Sequence, residues 1–260
     1  HTDIKFGFYT ILLSECKCEA YAYGHQCCDF SDGTLVCLTP GESISMKENN
    51  KEFPSKGWIL AFHPDLICGT PLGLNIHNYT FFSYCPEEAL HLSLREKQII
   101  LEFLERIRQE LERCIDRHSK KIISKYIELL LDYCTRFYER QFITRSEVNK
   151  KVFREFNHLL DNHFNVKVSL STDVLSDEYC ANLLHLSPAY FNDLLKYEIG
   201  KEFKEYIQFK RFEIAKGWLV NTDKTLGQIA QELGFSNSQY FSRLFKKITG
   251  CSPNEFRMPN

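Results

Sequence analysis

Over the first ninety or so residues the apolar positions come in short clusters. FGFYTILL (6–13) is aromatic and β-branched, CEAYAYG (18–24) alternates, and GTLVCLTPG (33–41) and KGWILAFHPD (56–65) are short apolar runs bounded by Gly or Pro. Clusters of that length predict several short strands joined by turns, hence a sandwich or barrel. Helix signals are weak before Ser93. From there the period changes: Ile100, Phe103, Leu104, Ile107, Leu111, Cys114 and Ile115 recur every three or four positions, one stripe on a long helix. Ile122, Ile123, Tyr126, Ile127, Leu130, Leu131, Cys134 and Phe137 repeat the pattern. Two such helices in succession predict a helical hairpin over 93–141, whose stripes cover the strands or pair with a second copy of the chain.

RQFITRSEVNKK (140–151) is polar and reads as a connector, which places a domain boundary near residue 145. Beyond it, Val152, Phe153, Phe156, Leu159 and Leu160 predict a further helix, and DNHFNVKVSLSTD breaks the pattern. Two related stretches follow. Setting Gly250 on Gly200 puts Phe245 on Leu195, Phe241 on Phe191 and Tyr240 on Tyr190, and one extra residue at the turn brings Ala230 onto Ala181. A repeat this short is one supersecondary unit used twice.

The punctuation identifies that unit. Thr225 with Gln228, and Ser236 with Gln239, are spaced as capping boxes, each opening a short helix. Gly234 sits between them, where the first helix must stop in a left-handed conformation. Ser252 and Pro253 start a third helix. Two short helices across a glycine turn make a helix-turn-helix. Units are therefore expected at about 176–200 and 225–250, with EYIQFKRFEIAKGWLV (205–220) as a continuous helix between them. His185 occupies the place of Gly234 in the first unit, a less natural residue for that backbone.

Each second helix has an apolar side and a polar side. On the later copy Ser238, Gln239, Ser242, Arg243, Lys246 and Lys247 project away from Phe241 and Phe245; on the earlier one Ala189, Asn192, Asp193 and Lys196 do so. Hydroxyls and amides read base edges, Arg bonds guanine twice, Lys neutralises phosphate, and Asp accepts from a cytosine amino group. The linking helix is long enough to hold two readers apart on one face of a duplex.

Composition adds limits. The 260 residues are 43% hydrophobic and 25% charged, with net charge −2, as in ordinary globular proteins. No apolar run approaches the roughly 18 residues of a spanning helix, and no signal segment opens the chain, so a cytoplasmic location away from membranes is expected. The first residue is His1, so native sequence is expected to precede it. Lys and Arg balance Asp and Glu from Ser171 onward, but Arg243, Lys246, Lys247 and Arg257 outnumber Glu255 between Asn237 and Arg257. That local excess predicts modest DNA affinity per chain and a need for dimeric binding. The eleven cysteines include the pairs Cys16/Cys18 and Cys27/Cys28, with His25 between. No pair has the spacing of a thiolate knuckle, so the reading is small buried hydrophobes, with no metal or cofactor.

With these residues in place, the C-terminal hundred or so positions resemble the DNA-binding module of the AraC/XylS family of bacterial transcription regulators. Arg211, Ala215 and Leu219 of the linking helix and IAQELGFSNSQYFSRLFKKITGCSPNEFR carry the likeness. It implies base-facing positions at Ala189, Asn192 and Asp193 in the first copy and Ser238, Gln239 and Arg243 in the second; Asp193 stands where the family more often has a basic residue. The N-terminal half is similar, more loosely, to the cupin-like sensor of such regulators, on GTLVCLTPGESI. Ile44 stands where metal-dependent cupins carry a His, which points to a binding pocket instead of a metallo-enzyme.

The expectation is thus an α+β chain: a β-rich, cupin-like (jelly-roll) domain with a helical hairpin over 1–145, strands reaching about 92, then an all-α DNA-binding domain over 146–260. Its expected partners are double-stranded DNA, a small-molecule effector, a second copy along helix 95–115 and RNA polymerase. The alternatives are a cupin-type enzyme, whose nearest reactive cluster is the strand-end turn His63-Pro64-Asp65, or a redox sensor using Cys27 and Cys28, each fused to the same module.

Overall fold

The computed structural model of the chain describes residues 3–5, 7–15, 24–45, 56–165 and 175–258. They form two compact units, His1–Asn149 with Leu186–Tyr190 and Lys150–His185 with Phe191–Asn260.

The first unit is built on a small antiparallel sheet. Its strands are β1 (Asp3–Lys5), β2 (Tyr9–Ser14), β3 (Gly33–Leu38), β4 (Ser43–Ser45), β5 (Gly57–Phe62) and β6 (Leu90–Leu92). Four of them run in the order β5-β2-β3-β6, while β1 and β4 pair separately. Leu13 of β2 sits opposite Leu35 of β3 on one side and Trp58 of β5 on the other. Every residue of β3 is buried, whereas the edge strand β5 alternates between exposed and half-buried positions before ending on buried Phe62. The strand expected at CEAYAYG lies almost wholly outside the described residues, as do Cys16 and Cys18.

Strands do not continue unbroken to residue 92. Between β5 and β6 the chain makes α1 (Pro64–Ile67), α2 (Pro71–Asn75) and single-turn 3-10 helices at Ile76–Asn78, Thr80–Ser83 and Pro86–Glu88. The cause is local. Pro64, Pro71 and Pro86 each stand in a first helical turn, where a missing N–H costs nothing. His63 Nδ1 accepts the Asp65 N–H (3.2 Å) and Thr70 Oγ1 the Gly73 N–H (3.2 Å), capping the first two. His63-Pro64-Asp65 is thus a helix start at the end of β5.

The hairpin is α3 (Leu94–Leu111) and α4 (Ser119–Thr144). Ser93 and Glu96 close a reciprocal capping box at its start. Ile100, Leu104 and Ile107 of α3 are buried, as are Ile123, Ile127, Leu130, Leu131, Cys134 and Phe137 of α4. The stripe is therefore covered from Ile100 to Ile107, whereas its end, Leu111, Cys114 and Ile115, is exposed. Helix α3 also stops four residues short of Ile115. The Asp116 carboxylate accepts the N–H groups of His118 and Ser119 (2.7 and 3.1 Å) and opens α4 instead, leaving Ile115 77% exposed.

The expected connector is not a loop. Only Arg145 separates α4 from α5 (Ser146–Asn165). The polar residues that suggested solvent are buried in bonded pairs: Arg145 is 5% exposed and Asn149 1%, with Asn149 Nδ2 donating to the Phe142 carbonyl (3.0 Å). Polarity signals exposure only while such groups lack internal partners.

The second unit is helical. Beyond the C-terminal part of α5 it contains α6 (Asp177–Leu183), most of α7 (Pro188–Ile199), α8 (Phe203–Asn221), α9 (Leu226–Glu232), α10 (Ser238–Thr249) and α11 (Pro253–Arg257). Phe156 of α5 is fully buried edge-on to Phe191 (5.0 Å between ring centres), and Tyr206 Oη donates to Asn157 Oδ1 (2.6 Å). Phe212, Ala215 and Leu219 of α8 share a core with Ile229, Ala230, Leu233, Phe235, Phe241 and Phe245. No helix among the described residues is long and apolar enough to cross a membrane.

Candidate nucleic-acid interface

The later helix-turn-helix is α9, the turn Leu233–Asn237 and α10. Thr225 and Gln228 form the capping box the spacing predicts. Gly234 adopts φ +73°, its N–H donates to the Gln231 carbonyl (3.0 Å), and the Phe235 N–H reaches back to Ala230 (2.8 Å). That pair of bonds is the Schellman closure, and it drives Phe235 into the core beside Phe212 and Phe241. The start of α10 differs from expectation. Asn237, not Ser236, is its cap, accepting the Tyr240 N–H at 2.7 Å. The Asx side chain reaches the third N–H one position later, so Ser236 and Gln239 form no box.

That shift leaves Gln239 exposed and out of the cap. Arg243, Lys246 and Lys247 are exposed on the same helix, while Phe241 and Phe245 are fully buried behind them. The Arg243 guanidinium lies 5.7 Å from the centre of the Tyr240 ring, and neither lysine forms a salt bridge among the described residues. Ser238 is half-buried. The half-buried Ser242 spends its hydroxyl hydrogen on the Ser238 carbonyl (2.8 Å) and keeps only acceptor capacity. One face of α10 therefore presents an amide, a guanidinium and two ammonium groups at helical spacing.

The earlier unit is α6, a turn at Leu184–Ser187 and α7. His185 takes the left-handed place at φ +56°, the one non-glycine residue to do so among the described residues. Its polar side is more occupied than that of α10. Ala189 and Asp193 are half-buried, Asn192 Nδ2 donates to Asp177 Oδ2 (3.1 Å), and Lys196 pairs with Glu202 (3.0 Å).

Several residues have roles the sequence did not disclose. Arg257, counted with the local positive charge, donates to the carbonyls of Leu219 (3.2 Å) and Lys224 (2.5 Å) and so terminates α8. Lys224 lies 3.9 Å from the Trp218 ring centre. Arg211 is half-buried over Phe235, and burial pulls its guanidinium below its ordinary value. Among the cysteines, Cys37, Cys134 and Cys180 are the small buried hydrophobes expected, but Cys27, Cys28, Cys68, Cys85 and Cys114 are exposed. Burial and the neighbouring Asp29 push the Cys28 thiol up, away from the reactive thiolate.

Comparison with known proteins concerns mainly this second unit. A family profile described as a helix-turn-helix domain matches residues 180–258. An uncharacterised helix-turn-helix-type transcriptional regulator of Bacillus subtilis, YtdP, is 33% identical over 111 residues, covering 43% of this chain and 14% of that protein. The arabinose operon regulatory protein of Salmonella typhimurium is 32% identical over 101 residues, 39% of this chain and 32% of that one. YijO, an uncharacterised helix-turn-helix-type regulator of Escherichia coli, aligns over 225 residues at 24% identity, 86% of this chain and 76% of its own length. The chain thus spans well under half the length of YtdP and of the arabinose operon regulatory protein.

Proposed function

We propose, from the premise that residues 180–258 are a helix-turn-helix domain of the AraC type, that the chain is a sequence-specific DNA-binding transcription regulator and not an enzyme. The observation that carries this reading is the face of α10. Gln239 and Arg243 stand ready for base edges, Lys246 and Lys247 for phosphate, and the capped turn behind them fixes the helix that bears them. Helix α7 is the second reader, through Ala189, Asn192, Asp193 and Lys196.

The first unit is the sensor. In this reading it is a cupin-like domain that binds a small-molecule effector, and the protein works in the cytoplasm as a dimer, in reach of RNA polymerase. With Ile100, Leu104 and Ile107 covered, pairing between copies would use the exposed end of the same stripe, Leu111 and Ile115, together with Ile122 and Leu129 of α4. An effector moves such a switch only by its difference in affinity for the two states.

The test is a binding selection from genomic fragments with the purified chain at ~150 mM salt, a level at which phosphate contacts alone give weak binding. Retention of a site with two reading segments about one helical turn apart is expected. Retention no better than that of a chain carrying Arg243→Ala and Lys246→Ala would overturn the assignment.

A further inference from the structure

The guanidinium of Arg243 carries the base choice proposed above, and what holds it before DNA arrives decides how much that choice costs. An arginine that grips guanine through two parallel bonds gives up rotamer freedom on a long side chain, unless it is already placed. Among the described residues the Arg243 side chain makes no salt bridge and no hydrogen bond. Its guanidinium carbon instead stands 5.7 Å from the centre of the Tyr240 ring, one turn back on α10. That is within the ~6 Å at which an aromatic face attracts a cation.

Two features of α10 favour the same placement. Long side chains on a helix lean toward its N-terminus, which directs Arg243 back toward Gln239 and Tyr240. Lys246 and Lys247, three and four positions on, repel a guanidinium that swings the other way. Tyr240 is 38% exposed, so its ring borders the solvent face that Gln239 and Arg243 share.

The first copy provides the contrast. Tyr190 and Asp193 stand where Tyr240 and Arg243 stand, fifty positions earlier. Each tyrosine N–H is taken by the helix cap, Ser187 Oγ at 3.2 Å and Asn237 Oδ1 at 2.7 Å. Ser187 in turn donates its own N–H to Glu88 Oε1 (2.7 Å). Tyr190, however, is 4% exposed and packs on the rings of Tyr84 and Phe142. Asp193 is an anion, and the negative face of an aromatic ring offers it nothing. The ring is exposed in the copy that carries Arg three positions on, and buried in the copy that carries Asp there.

We propose that Tyr240 is a positioning residue for Arg243: its ring pre-organises the guanidinium for a base edge, and through that hold, without a base contact of its own, Tyr240 sharpens sequence choice. This inference rests on the DNA-binding reading above. The cap of α10 uses the backbone of Tyr240, so changing the ring leaves the start of the helix in place.

The experiment compares the full chain with Tyr240→Phe, Tyr240→Leu, Arg243→Ala and the double variant Tyr240→Leu/Arg243→Ala. Each is titrated on the site retained in the selection and on copies altered at the base pair where Arg243→Ala relaxes preference. An exposed cation–π pair is worth about two- to fivefold in an equilibrium constant. Tyr240→Leu should lose that factor on the selected site and as much discrimination at the Arg243 base pair. Tyr240→Phe, which keeps the ring, should match the unaltered chain. With Arg243→Ala already present, Tyr240→Leu should cost nothing further. A loss that persists beside Arg243→Ala, that falls equally on every sequence, or that Tyr240→Phe shares, overturns the proposal and leaves the DNA-binding reading in place. No preference by the unaltered chain for any sequence overturns that reading itself. One measurement needs no DNA. The order parameter of the Arg243 Nε–H should be higher in the unaltered chain and in Tyr240→Phe than in Tyr240→Leu, and equal values in all three sink the proposal.

Discussion

Arg145 and Asp29, 116 positions apart, meet through two parallel bonds, Nε to Oδ1 at 2.9 Å and Nη2 to Oδ2 at 2.6 Å. Both side chains are buried, at 6% and 0% exposure. Arg145 Nη2 also reaches the Gly24 carbonyl (3.3 Å), so the guanidinium ties the 24–29 loop to the junction of α4 and α5. Removing one member of a buried pair leaves the other charge without compensation, at a cost of about 3–5 kcal/mol. Arg145→Ala should lose that much stability in urea denaturation. A loss below about 1 kcal/mol would mean the pair is solvated in solution.

The same pair sets an acid limb. Burial works to raise the Asp29 carboxyl, but the Arg145 guanidinium outweighs it and holds the group below the usual carboxylate range. A carboxyl depressed in the folded state contributes stability above its unfolded value, about 3.9. That contribution disappears as pH falls through the folded value. The stability gap between the natural chain and Asp29→Asn should thus be full at neutral pH and narrow below about pH 4. Glu88, which burial pushes the other way, is common to both proteins and drops out of the difference. A gap that stays constant to acid would show that Asp29 titrates normally.

The two left-handed turns give a matched pair of substitutions. Gly234 at φ +73° tolerates no β-carbon cheaply, so Gly234→Ala should destabilise by about 1–2 kcal/mol. His185 already bears that strain at φ +56°. His185→Gly relieves it and gives back part in unfolded-chain entropy, for a net gain of up to about 1 kcal/mol. Thermal melts of the two variants should move in opposite directions; a destabilised His185→Gly would assign the imidazole a packing role.

On DNA, Arg243→Ala should cost about 1–3 kcal/mol and relax preference at one base pair. Lys246→Ala should weaken binding to all sequences alike and flatten the salt slope by about one unit. Titrations on the selected site and on single-base variants separate the two outcomes. A uniform loss for Arg243→Ala would reassign it to the backbone, and an unaltered slope for Lys246→Ala would remove Lys246 from the phosphate set.

How much of this was legible in the sequence depended on range. Thr225, Gln228, Gly234 and Ser252 act within one turn of themselves, so their spacing announced the caps and turns found in the structure. Ser236 missed by one position because Asn237 caps through the Tyr240 N–H, one residue beyond the Gln239 N–H that a Ser236 cap would have taken. The stripes on α3 and α4 were readable from period alone, but what covers them was not: Ile100, Leu104 and Ile107 are buried, while Leu111 and Ile115 of the same stripe are exposed. Arg145, Asn149 and Glu88 were unreadable for a common reason. A polar residue looks solvated until its partner is found, and those of Arg145 and Glu88 lie 116 and 99 positions away.

The bond from Glu88 to Ser187 also orders the birth of the molecule. Synthesis runs from the N-terminus, and a contact between distant positions must wait for the later one to emerge. The sheet and hairpin can assemble once Thr144 has left the ribosome, but Glu88 stays without its Ser187 partner until α7 follows. The helices of the second helix-turn-helix are neighbours in sequence and can close as they appear. The first unit, though made first, is therefore completed by a segment that emerges well after its own last helix has begun.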